Sequence, residues 1–244
     1  MRVAVISDIH GNRPALEAVL DDIAHERVDI TVNLGDLLAG PIDPVGTVAI
    51  LRDLDMPTVS GNHERAMLDP KTRDPVDRWS RERVVQDDLD WLATIPPTLS
   101  LADDLFLCHG TPQSDSQPWL DNWFAGRTNV LPDEAAVAKP AEGLNFPVLL
   151  CGHTHVARAV RLNDGRLVVN PGAVGLQLLY GSPDARYALL ERRAATWWVT
   201  LRCVPYDYEK AARQAEANGF PQWRAALVTG WAGPEGLFGS VLKA

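Results

Sequence analysis

The chain opens on RVAVISDIHGN, residues 2–12. RVAVIS has the length and apolar character of a buried strand, and it breaks at once into Asp8, His10, Gly11 and Asn12. From Pro14 to Glu26, Leu16, Val19, Leu20 and Ile23 recur on one helical face, with Pro14 suited to a first turn. DITVNLG (29–35) reads as a second strand, PVGTVAILRDL (44–54) as a second helix and PTVSGN (57–62) as a third strand. Such a β-α-β-α-β opening predicts an α/β fold: a parallel sheet with helices packed on it.

Further along, residues 75–95 read as one helix, stopped by the IPP at 95–97. LSLADDLFLC (99–108) reads as a hairpin with Asp103 and Asp104 near its turn. Residues 111–146 hold Trp119, Trp123 and several prolines and glycines, the texture of a loop-rich insertion rather than a domain. VLLC (148–151) is another buried strand, and ARAVRLNDGRLVVN (157–170) a hairpin turning at NDG. ARYALLE and TWWVTLRCV continue a strand-rich half. A helix over 207–218 follows, with Gly219 placed to end it. The last two dozen residues read as a surface tail anchored by Trp223 and Trp231. No repeat, low-complexity tract or linker interrupts the chain, so one domain over 1–244 is expected.

With 244 residues, 46% of them hydrophobic, the chain can bury a sizeable core without staples. Its net charge is −9, and its densest basic stretch, RWSRERVVQDD (78–88), is interleaved with acids. Tracking a long nucleic acid needs clustered Lys and Arg, so that partner is not expected. The three cysteines lack short paired spacing, which suggests a reducing compartment. No segment reaches the ~18 apolar residues of a membrane span, and the start has no signal-peptide pattern. The expected address is the cytosol, with no membrane partner, and a homodimer is the default assembly.

The chemistry lies just after the strands. Asp8 and His10 follow the first, Asp36 the second, and Asn62 and His63 the third. His109 and the pair His153 and His155 follow two later ones. Ligand sites of open α/β sheets form at the carboxyl ends of strands. Five of the six histidines sit in these motifs; only His25 does not. Mixed oxygen and nitrogen donors suit Mn, Fe, Co, Ni or Zn more than Mg or Ca. Seven candidate ligands exceed one ion with an open site but fit two, with a carboxylate bridging. Two ions ~3.5–4 Å apart can hold a hydroxide and clamp an in-line phosphoryl displacement.

In order, SDIHGN, GDLLAG, GNHE, HG and GHTH resemble the motifs of calcineurin-like metallophosphoesterases. CHGTP, VNPGAVG, ARYALLE and VPYDYEKAARQAEANGFPQWRAAL extend the likeness to that family's small prokaryotic branch, nearly end to end. The resemblance implies two mixed sheets packed as a sandwich between helices. It implies Asp8, His10, Asp36 and His155 on one ion and Asp36, Asn62, His109 and His153 on the other. Asp36 would bridge, and His63 would touch phosphate and protonate the leaving oxygen. The implied activity is hydrolysis of small organic phosphates, diesters first and monoesters too, by a metal-bridging hydroxide. Cyclic-nucleotide or dinucleoside polyphosphate hydrolysis, and a non-catalytic metal-binding scaffold, are the alternatives.

The likeness has departures. GDLLAGPIDP (35–44) lacks the arginine that related protein phosphatases carry, and Ala173 stands where the branch commonly has serine. LQLLYGSP (176–183) is apolar, which suggests a less charged substrate pocket. Asn12, Arg158, Trp119 and Trp123 are further candidate substrate contacts. Turn chemistry explains Asn12 and Asn170 nearly as well, and loop tryptophans often pin a loop to the body. Cys108 and Cys151 read as small core residues.

Overall fold

The computed structural model describes residues 1–121, 130–179 and 181–231. Side chains alternate across a strand, so β1 (Arg2–Ile6) presents Val3 and Val5 to one side, Ala4 and Ile6 to the other. Both sides are buried, which is why the run is apolar throughout. β1 runs parallel to β2 (Ile30–Asn33). It runs antiparallel to β8 (Ala185–Arg193), which pairs antiparallel with β9 (Thr196–Val204). The first sheet thus has the order β2-β1-β8-β9. The second is built from β3 (Thr98–Leu101), β4 (Leu105–Cys108), β5 (Val148–Leu150), β6 (Arg158–Arg161) and β7 (Leu167–Asn170), in the order β3-β4-β5-β7-β6. Its β4, β5 and β7 are parallel, with an antiparallel hairpin strand at each edge.

The two sheets share one apolar layer. Val3, Val5, Val32 and Leu190 from the first meet Leu105, Leu107, Val148, Leu150 and Val169 from the second. On its outer face the first sheet carries α1 (Arg13–His25), whose Leu16, Val19 and Ile23 pack on Ala4 and Ile6. α2 (Pro44–Leu54) adds Val48 and Leu51 to that layer. Opposite, Phe106, Cys108, Leu149 and Cys151 pack against Trp119, Leu120 and Val137. This is the α/β fold of two mixed sheets between helical layers.

Several expectations change. The third opening strand shrinks to a single parallel bridge, Asn33 to Thr58. Beyond it Ser60 turns its N–H to Pro96 rather than to β2. That segment leads into α3 (Asn62–Leu68), which starts from Gly61. Residues 75–95 form two helices, α4 (Pro75–Arg81) and α5 (Gln86–Thr94). The break falls where Asp88 accepts from the Val85 N–H and pairs with Arg52, restarting the chain in a new direction. Within 111–146, α6 (Glu134–Ala138) forms on an Asp133 cap, and a 3-10 turn spans Lys139–Ala141. α7 (Tyr208–Ala217) matches the expected helix, with Asp207 capping it. The start of the expected surface tail is instead α8 (Trp223–Thr229), with Trp223 fully buried among Ile42, Leu176 and the alanines of α7, while residues 232–244 lie outside the described residues. Trp223, Ala226 and Leu227 are helically spaced, a signal too short to stand out alone. Among the described residues no helix is long and apolar enough to cross a membrane.

Candidate metal centre

Parallel pairing puts the carboxyl ends of β1 and β2 side by side, and likewise those of β4 and β5. The loops beyond them are stitched together by backbone bonds. Asp8 N–H donates to Gly35 O (2.9 Å), His10 N–H to Asp36 O (3.0 Å) and Gly152 N–H to His109 O (2.6 Å). Asp8, His10, Asp36, His153 and His155 all take positive φ, between 50° and 68°. Non-glycine residues rarely adopt that region, and such strain persists only where the surroundings over-determine it.

Two glycines let the loops close in. A Cβ on Gly61 would lie 2.2 Å from Asp36 Oδ1, and one on Gly152 2.1 Å from Ser7 Oγ. Glu64, fully buried, accepts from the N–H groups of Asp36 (2.8 Å), Leu37 (2.7 Å) and Gly61 (2.8 Å). It ties the Asp36 loop to the start of α3.

Ring tautomers follow from the acceptors. His10 Nδ1–H donates to Ala39 O (2.8 Å), His109 Nδ1–H to Leu34 O (2.6 Å) and His155 Nδ1–H to Leu176 O (2.6 Å). A carbonyl only accepts, so each Nδ1 carries a proton and each Nε2 is left to ligate. His10 Nε2 lies 3.2 Å from His155 Nε2, and His109 Nε2 lies 3.0 Å from Asp36 Oδ2. Atoms so close need a positive charge between them, a proton or a metal ion.

The donor atoms fall into two groups, each within 4.8 Å: Asp8, His10, Asp36 and His155, and Asp36, His109 and His153. Asp36 belongs to both. Asn62 Oδ1 is buried and accepts no hydrogen bond among the described residues, which suits a further oxygen donor. Burial pushes His10 down to about 3, with the His155 ring adding to it. Burial, with His109, takes His153 to about 4. Burial opposes charge on Asp8 and Asp36, but the neighbouring imidazoles hold both carboxyls below their ordinary range. Burial opposes charge on His109 too, but the Asp36 and Asp8 carboxylates push it up to about 10. Ionised carboxylates and neutral His10 and His153 rings suit ligands as they stand, whereas His109 would give up its Nε2 proton on binding an ion. The residues fit a divalent-metal centre.

His63 stands beside this cluster, its ring centroid 5.2 Å from that of His10. Its backbone N–H donates to Asp36 Oδ1 (3.0 Å) and its Nδ1 lies 2.6 Å from Asp77 Oδ1 on α4. Burial works against a charged ring, yet the Asp36 carboxylate and the Asp77 hydrogen bond push His63 up to about 9. Sequence reading missed Asp77 and Glu64. Nothing local marks Asp77, fourteen residues beyond His63.

The candidate substrate contacts lie elsewhere. Asn12 is fully buried; it caps α1 through Ala15 N and donates to Gly175 O (2.7 Å) and Tyr206 Oη (3.1 Å). Arg158 donates to Leu120 O. Trp119 is 4% exposed, with Nε1 bonded to Val137 O (2.8 Å), so it pins its loop to the second sheet. Trp123 lies outside the described residues. Leu176 and Leu178 pack with α7 and α8, which accounts for the apolar stretch after Gly175. Cys108 and Cys151 are buried core thiols, both pushed up by burial.

Residues 1–194 match the calcineurin-like phosphoesterase superfamily domain. An uncharacterized protein of Methanocaldococcus jannaschii is 25% identical over 91% of this chain and 94% of its own. The crystal structure of a metallophosphoesterase from Sphaerobacter thermophilus superposes with a TM-score of 0.76 and 27% identity, covering 94% of this chain and 100% of that one. Serine/threonine-protein phosphatase 1 of Salmonella typhimurium is 35% identical over 78 residues, 32% of this chain and 36% of its own. The chain belongs to the calcineurin-like phosphoesterase superfamily and is a phosphoester hydrolase.

Proposed function

We propose that this phosphoesterase works with two divalent transition-metal ions and hydrolyses phosphodiester bonds, and monoesters besides, in small organic phosphates. The observation that carries the reading is the pair of ligand groups sharing Asp36. Asp8, His10, Asp36 and His155 would hold one ion; Asp36, Asn62, His109 and His153 the other. Such ions, when bound, activate water for in-line attack and neutralise phosphoryl charge.

The chain's own residues do the rest. The Nδ1 bonds to Ala39, Leu34 and Leu176 would turn Nε2 of three ligand histidines toward the ions. His63, with Nδ1 committed to Asp77, has the proton at Nε2 to give to a departing alkoxide. The Asp77 hydrogen bond favours the charged ring. Of the two tryptophans on which a nucleotide base could stack, Trp119 has no exposed indole face to use. A complete set of buried donors favours an enzyme over a scaffold.

The test is metal content beside metal-dependent hydrolysis of bis(p-nitrophenyl) phosphate and of p-nitrophenyl phosphate, for wild type and Asp36→Asn. Two ions per chain and a diester turnover that Asp36→Asn abolishes support the reading. A folded chain that binds no divalent ion and turns over neither ester overturns it.

A further inference from the structure

The turn from Gly152 to His155 has to send two neighbouring imidazoles to different ligand groups, and both histidines pass through positive φ to do so. Three anchors hold it. At one side His153 N–H donates to both carboxylate oxygens of Asp8 (3.2 Å each). From β7, Asn170 Nδ2 donates to Gly152 O (2.7 Å) and to Thr154 Oγ1 (3.1 Å), while its Oδ1 accepts from Gly172 N–H (2.9 Å). The third anchor comes from the insertion: Thr154 Oγ1–H donates to Asp121 Oδ2 at 2.6 Å. Asp121 is 2% exposed, and its other oxygen meets no donor among the described residues. Arg158 on β6 holds the carbonyl of Leu120 next to it.

Thr154 therefore has its hydroxyl fixed from both sides, accepting from one strand and donating to the insertion. A buried carboxylate with a single hydrogen bond is an expensive group. Here that one bond goes to the residue between two strained ligand histidines. We infer that Asp121 is a positioning residue for metal binding: through Thr154 it holds His153 and His155 in their divergent conformations. The 111–146 insertion is thereby coupled to both halves of the centre. The inference rests on the two-ion reading of the site.

Mn²⁺ titration of chelator-treated protein tests it, followed by calorimetry, alongside the melting temperature of each metal-free variant. Thr154→Val and Asp121→Ala should each weaken Mn²⁺ binding about 10–100-fold, the range for partners that orient metal ligands. Thr154→Ser, which keeps the hydroxyl, should bind within a few-fold of wild type. Both changes break the Thr154–Asp121 bond, and Thr154→Val the Asn170 bond as well, so the double variant should bind little worse than Thr154→Val alone. The metal-free variants should still melt cooperatively, with Thr154→Val below wild type because it leaves the Asp121 carboxylate without its bond. Unchanged Mn²⁺ affinity in Thr154→Val or Asp121→Ala overturns the inference. So does an equal loss in Thr154→Ser, or additive losses in the double variant. If Thr154→Val does not fold, Asp121→Ala carries the same expectation alone. Wild-type protein that binds fewer than two Mn²⁺ ions would sink the two-ion reading, an outcome separate from any variant's affinity.

Discussion

His63 and Gly61, two residues apart, depend on the same carboxylate in different ways. His63 takes its backbone position from Asp36 Oδ1 and its ring orientation from Asp77. If its role is proton donation, His63→Ala should lower turnover of alkyl phosphate esters by about 10²–10⁴-fold. The loss should be much smaller with nitrophenolate leaving groups, and bound metal should be retained. Equal losses across a leaving-group series would remove that role. Asp77→Asn should show the same leaving-group pattern in weaker form, since the ring keeps a partner but loses the charge that holds its proton. Gly61 matters through what it lacks. A methyl there would lie 2.2 Å from Asp36 Oδ1, so Gly61→Ala must push the shared ligand out of place. Metal content after dialysis should fall in Gly61→Ala while its circular dichroism matches wild type.

At the scale of elements, helices do two kinds of work. α3 is short, yet its Glu64 carboxylate accepts three backbone N–H groups and locks the Asp36 loop to the helix start. α8 contributes stability. Trp223 is its first residue, fully buried against α7 and with its ring 6.4 Å from His10. Trp223→Ala should cost about 3–5 kcal/mol, as truncations of large buried aromatics do. Denaturant unfolding measures this, and a loss under 1 kcal/mol would mean that α8 packs far more loosely than the structure shows. Helix α8 was legible only in part from sequence: seven residues with Pro221 just before them gave too short a period to read. The break between α4 and α5 was invisible for a related reason. It depends on Asp88 meeting Arg52, thirty-six residues away.

The whole molecule brings charge together that water would keep apart. Asp8 and Asp36 are buried with four histidine rings around them, in loops strained at five candidate ligand positions. A bound cation relieves that repulsion, so metal should stabilise the fold strongly. One ion at a hundred times its Kd adds about 2.7 kcal/mol, or roughly 5–10 °C in melting temperature for a chain this size. Chelation should lower the melting point of the loaded protein by at least that much, and Mn²⁺ should restore it. A melting curve indifferent to chelator would contradict a centre that is part of the fold. The first two strands, the helical face of α1, the hairpins and the order of SDIHGN, GDLLAG, GNHE, HG and GHTH were all readable from the chain. They are written in local periodicity and in glycine-flanked polar residues at strand ends, which need no partner to be recognised. The sequence by itself thus determined the α/β class, the family likeness and the seven candidate ligands. Only the tertiary structure decided which residues stand behind them: Asp77 on His63, Glu64 on the Asp36 loop, and Asp121 on Thr154. It also placed Trp119 in the core rather than at the site. Those contacts join segments from 14 to 33 residues apart, through single polar side chains that no period or motif marks. Their meaning exists only once the sheets have packed and water has been excluded from the loops between them.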